Sequence, residues 1–105
     1  MKDEHLEITE SVSGKKCTMI AKGRIDSNSA DVFLYKLEDT LNNGQTDIIM
    51  DMSQIEYLSS IGIRVILKIY KQAAEAGGKF NIERPSEIVK NVLGMAALKQ
   101  MLVPD

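Results

Sequence analysis

Tryptophan is missing from this chain and aromatic residues of any kind make up 5% of it, so no platform of stacked rings is available for unpaired nucleic-acid bases. The core has to be assembled from Ile, Leu, Val, Met and Ala in close-packed aliphatic layers. Histidine occurs once, at His5, and cysteine once, at Cys17. One imidazole and one thiol cannot complete a zinc shell, and a single cysteine forms no internal disulfide; Cys17 reads as a small core residue. His5 falls on an expected edge strand near the terminus and no second feature supports catalysis, so a Ser-His-acid relay finds no support. Positive charge is not in excess either: 13 Lys and Arg against 15 Asp and Glu give a net charge of -2, which argues against nucleic acid or anionic lipid as the partner. No apolar run approaches the roughly 20 residues that span a bilayer, and the opening MKDEHLEITE is acidic where a signal peptide needs an apolar stretch. A cytoplasmic protein is expected. GRID and SSIG lack the glycines and the following Lys-Ser/Thr of a phosphate loop, and Asp47 and Asp51 bracket an apolar run without a calcium-binding loop. With no cofactor and no catalytic set expected, the chain is read as a binding protein and not an enzyme.

What is present is enough for one domain, expected over residues 1–105, since 44% of the chain is hydrophobic and the length is that of an ordinary single domain. Leu6, Ile8 and Val12 alternate with Glu7, Thr9 and Ser11, the pattern of a strand with one wet face. Ser13-Gly14-Lys15 supplies a turn, and the alternation over residues 17–22 predicts the second arm of a hairpin. Ser27, Asn28 or Ser29 can each cap a following helix, on which Ala30, Phe33, Leu34, Leu37 and Leu41 form an apolar stripe; Asn42-Asn43-Gly44 ends it.

Ile48-Ile49-Met50 is a continuous apolar run, predicting a central strand covered on both faces, with residues 53–58 as the connection that follows. Residues 60–76 predict a second helix, apolar except for a polar stripe of Arg64, Lys68, Lys71 and Glu75, and Gln72 beside it. Gly77-Gly78 stops it, residues 79–83 resume a strand with Phe80 and Ile82 on one face, and Pro85-Ser86-Glu87 opens a third helix. There Ile88, Val89, Val92 and Leu93 form the expected buried stripe and Gly94 the expected end, while the tail over residues 98–103 offers a last strand. The order β-β-α-β-α-β-α predicts an α/β fold with a mixed sheet, mostly parallel with an N-terminal antiparallel edge.

The segment YLSSIGIR, residues 57–64, falls where the central strand meets the most apolar helix, and the ends of parallel strands are where α/β domains place their sites. Either Ser59 or Ser60 can cap that helix. Either can also carry a phosphate, because a helix N-terminus holds an added anion at little structural cost.

These residues resemble the STAS domains of bacterial anti-sigma-factor antagonists. The resemblance rests on Gly23-Arg24-Ile25-Asp26 after the second strand, on Asp51-Met52-Ser53, on Ser59-Ser60-Ile61-Gly62-Ile63-Arg64, and on the Ala76-Gly77-Gly78-Lys79 step. It implies a partner that is both anti-sigma factor and serine kinase, and phosphorylation of the serine two positions before the motif glycine, which is Ser60, with Ser59 second. It further implies that phosphorylation breaks the complex, and that Asp26 matches a family acid near the serine. Many members read Asp-Ser-Ser-Gly; here Ser59 replaces the acid and Ile61 the second serine, and a last helix found in many members is expected to be short or missing. The expected partner surface comprises Asp26, Ser27, Asn28, Ser59, Ser60, Ile61, Gly62 and Arg64, the last able to pair with a phosphate or a carboxylate. A STAS subunit of a transporter or signalling scaffold that is never phosphorylated is the rival reading, and a nucleotide-binding protein of flavodoxin-like shape a remote third.

Overall fold

The structure, a computed structural model, describes residues 5–95 and Leu98. Its elements run β1 (Leu6–Ser13), β2 (Lys16–Ile25), α1 (Ala30–Asn42), β3 (Asp47–Leu58), α2 (Ser60–Glu75), β4 (Lys79–Glu83) and α3 (Glu87–Met95). The four strands form one sheet in the order β1-β2-β3-β4, the first pair antiparallel and the other two parallel. The expected hairpin, mixed sheet and alternation of helices with strands are therefore present. Gly14 turns the hairpin at φ 60, where a side chain would be strained.

One face of the sheet is the core face. Cys17, Ile48 and Phe80 lie side by side across β2, β3 and β4, as do Met19, Met50 and Ile82, and all six are fully buried. From α1, Phe33 and Leu37 enter the same cluster; α2 adds Ile66, Ile69 and Ala73, and α3 adds Val89 and Leu93. Burying side chains of this kind contributes roughly 1.5–3 kcal/mol each, and this is what holds the helices to the sheet. Cys17 is a core residue as read: its thiol donates to Glu10 at 3.3 Å, and burial, then that carboxylate, pushes its pKa up to about 11.

Six expectations need correction. Val12, read on the apolar side of β1, is 49% exposed, and β2 does not end at residue 22 but continues through Gly23 and Arg24 to Ile25. Ile49 is half-buried while its neighbours Ile48 and Met50 are fully buried, so the apolar run is covered completely on one face only. Residues 53–58 are strand rather than connection: β3 continues to Leu58. Two register shifts against β2 explain why. Between the pairs Ile20–Asp51 and Lys22–Gln54, and again between Gly23–Ile55 and Arg24–Tyr57, β3 advances one residue more than β2, so the buried positions become Met52, Ile55 and Leu58. A bulge makes two residues face one, and that spacing of three hides the strand's period of two. In α3, Ile88 is exposed while Val89 and Leu93 are buried, and the helix runs through Gly94 to Met95. The proposed last strand over residues 98–103 and any further helix lie outside the described residues except Leu98, whose N–H donates to the Leu93 carbonyl at 2.8 Å.

Candidate functional site

The C-terminal ends of β2 and β3 lie side by side, with Ile25 paired to Leu58. The chain leaves β2 into the loop that begins at Asp26 and leaves β3 straight into α2, so the two predicted segments emerge together. Ser59 N–H donates to the Ile25 carbonyl at 2.9 Å and closes the gap between them.

The two serines are not equivalent. Ser59 is the N-cap of α2, with extended backbone (φ -84, ψ 170) and its hydroxyl oxygen accepting from Gly62 N–H at 3.2 Å. Ser60 is the first helical residue and is exposed. No acidic side chain occupies the first turn of α2, so the partial positive charge of the helix N-terminus is not neutralised there. Gly62 is fixed by packing: a Cβ would come within 2.7 Å of both Ile25 Cγ2 and Leu58 Cδ1, and its absence lets the helix start close against the strand ends. Ile61, 41% exposed, and Arg64 point outward on the same turn of chain.

Asp26 anchors the neighbouring loop. Its Oδ1 accepts from Asn28 N–H at 2.9 Å, and its Oδ2 lies 3.7 Å from Arg24 Nε. The Asn28 bond, followed by the charges of His5 and Arg24 and the Ser29 amide, outweighs partial burial and holds the carboxyl below its ordinary pKa. Ser27 and Asn28 are exposed. Ser29 occupies the N-cap of α1 as one of the expected candidates, but its hydroxyl does not cap the helix. It donates to the Arg24 carbonyl at 2.7 Å and accepts from Asp26 N–H at 3.1 Å, stitching the loop back onto β2.

Three residues outside the expected set stand in this region. Arg24 lies over the Tyr57 ring, its guanidinium carbon 4.6 Å from the ring centroid, on directly paired positions of β2 and β3. Arg24 was in view within the GRID motif, but only the shifted register brings it to Tyr57. His5 immediately precedes β1, its carbonyl accepting from Arg24 N–H at 2.7 Å; Gly23, at φ 118, permits the approach, since a Cβ there would sit 2.2 Å from that oxygen.

Among the described residues no group of three or more His, Cys, Asp or Glu side chains is placed to hold a metal, and no helix is long and apolar enough to cross a membrane. A sequence model of the STAS domain matches residues 6–104. The chain belongs to the STAS family. This STAS domain is 30% identical, over 78 residues covering 71% of the chain and 69% of the relative, to a Thermotoga maritima protein named as an anti-sigma factor antagonist. In fold it is similar to the anti-sigma factor antagonist SpoIIAA in its unphosphorylated form, with a TM-score of 0.82 at 17% identity over 92% of this chain and 86% of that one. An anti-sigma factor antagonist from Mycobacterium paratuberculosis superposes equally well, with a TM-score of 0.82 at 16% identity over 95% of this STAS domain and 86% of the other chain.

Proposed function

We propose that this STAS domain is a cytoplasmic anti-sigma-factor antagonist that works by binding: it holds an anti-sigma factor with serine-kinase activity through the Asp26 and Ser60 segments and is released when Ser60 is phosphorylated. The observation that carries the reading is the division of labour between the two serines. Ser59 spends its hydroxyl on the helix cap, whereas Ser60 presents an exposed side chain at the positive end of α2. The γ-phosphoryl group of ATP would pass to Ser60 Oγ, the hydroxyl proton leaving to the kinase. The product carries about -1.5 to -2 charge at neutral pH, which the helix N-terminus tolerates and a surface shaped for a neutral hydroxyl does not.

The test is incubation with the anti-sigma factor encoded in the same genome and ATP, with mass-spectrometric mapping of the product. Phosphate on Ser60 is expected, with Ser60→Ala binding constitutively and Ser60→Asp binding weakly. Phosphate on Ser59 alone would move the control point by one residue. An unmodified chain that still binds would instead favour a STAS subunit that is never phosphorylated.

A further inference from the structure

At the end of β2, next to the Asp26 loop, the surface carries a cation that nothing inside the molecule fully neutralises. Arg24 is held from two sides: Tyr57 supports the flat face of its guanidinium, and Asp26 Oδ2 lies 3.7 Å from Nε. Its side chain is still 47% exposed. The Tyr57 ring and Asp26 restrain the group, and Nε is the nitrogen turned to Asp26, so the two terminal nitrogens remain available as a fork for an oxyanion. Asp26 has less to offer outward, because Oδ1 is already committed to the Asn28 amide. Tyr57 and Ile61 are exposed apolar side chains, at 38% and 41%, on either side of Ser60 in the chain. Arg64 adds a second exposed cation one turn into α2. These segments therefore offer exposed apolar side chains together with two arginines, Arg24 and Arg64, alongside the carboxylates of Asp26 and Glu56.

We propose that Arg24 is a specificity-determining contact of the partner surface, that Tyr57 and Asp26 act through it as positioning residues, and that the partner meets it with a carboxylate. The inference rests on the antagonist reading and adds to it the chemistry of the partner. A carboxylate facing the fork forms two parallel charge-assisted hydrogen bonds, while apolar side chains around it cover Tyr57 and Ile61.

The experiment titrates the full chain and its variants into the anti-sigma factor encoded in the same genome, by calorimetry at low and high salt. Amide chemical shifts away from the site confirm that each variant is folded. Arg24→Ala is expected to weaken binding by about tenfold or more and to flatten its salt dependence. Arg24→Lys should recover only part of the loss because an ammonium lacks the fork, and Arg24→Glu should lose most of the affinity. Asp26→Asn keeps the acceptor for the Asn28 amide and should weaken binding less than Arg24→Ala. A double-mutant cycle of Arg24→Ala against alanine substitutions of the partner's exposed acids should find one strongly coupled pair. Arg24→Glu binding within about twofold of the parent would overturn the inference. If Ser60→Asp still abolished binding in that case, the antagonist reading would stand and only Arg24 would fall. A parent chain that bound no anti-sigma factor would sink both.

Discussion

At the scale of single residues, the pair Ser59 and Ser60 shows how one position in sequence separates a hydroxyl held in a helix cap from one left exposed. Ser59→Ala removes the acceptor for Gly62 N–H and is expected to cost about 1 kcal/mol, read as a lower urea midpoint with an unchanged slope. Ser60→Ala removes no cap and should stay within about 0.5 kcal/mol of the parent. Gly62→Ala is the harsher change. Its methyl group would meet Ile25 and Leu58 side chains at 2.7 Å, and overpacking of this kind costs about 1–3 kcal/mol. The same denaturation series ranks the three, and a neutral Gly62→Ala would show that α2 can slide away from the strand ends. The serine motif and its glycine could be read from the residues alone. Which serine caps could not, because both stand at the helix start and the backbone angle at Ser59 and its bond from Gly62 N–H decide.

Among the elements, β3 and β4 are tied by Asp51, whose carboxyl is 3% exposed in β3. Burial pushes its pKa up, but the Ser53 N–H at 2.8 Å, the Ser53 hydroxyl and the ion pair with Arg84 outweigh it and leave the carboxyl below its ordinary value. A carboxylate with a depressed folded pKa stabilises the fold fully at neutral pH, and the contribution is lost as pH falls through the ordinary carboxylate range near 4 and on through the lower folded value. Asp51→Asn should accordingly lower stability at pH 7 and flatten its decline at acid pH, both measurable by urea denaturation across the range. Much of Arg84 is in water, with 71% of its side chain exposed, so most of the loss should trace to the Ser53 contacts and not to the ion pair. The sequence pattern disclosed α1, α2 and β4 well because each keeps a single period, whereas it placed Val12 on the apolar side of β1 and ended β2 three residues before Ile25. It concealed the second half of β3, where two register shifts place Met52, Ile55 and Leu58 three residues apart. The Arg24–Tyr57 contact was hidden with it, since it exists only once that register is known.

Across the whole molecule, one hydrophobic cluster joins all four strands to the three helices. Unfolding is therefore expected to be a single cooperative transition. Ser60→Asp lies outside the cluster and should melt with the parent's cooperativity and close to its midpoint even where partner binding is lost. A broadened or biphasic melt, followed by circular dichroism, would mean that charge at the start of α2 reaches the core.

The unequal lengths of β3 and β4 have a kinetic consequence. Pairing with β4 stops at Asp51 and Glu83, so beyond that point β2 is the one strand neighbour of β3 among the described residues, with α3 packed nearby. Backbone amides around Ile48 and Met50, enclosed between two strands, should exchange their hydrogens with solvent only when the entire domain opens. Those of residues 55–58 should exchange sooner, through a smaller local opening. The end that carries the proposed partner surface can then loosen and re-form many times while the end that anchors the fold stays closed.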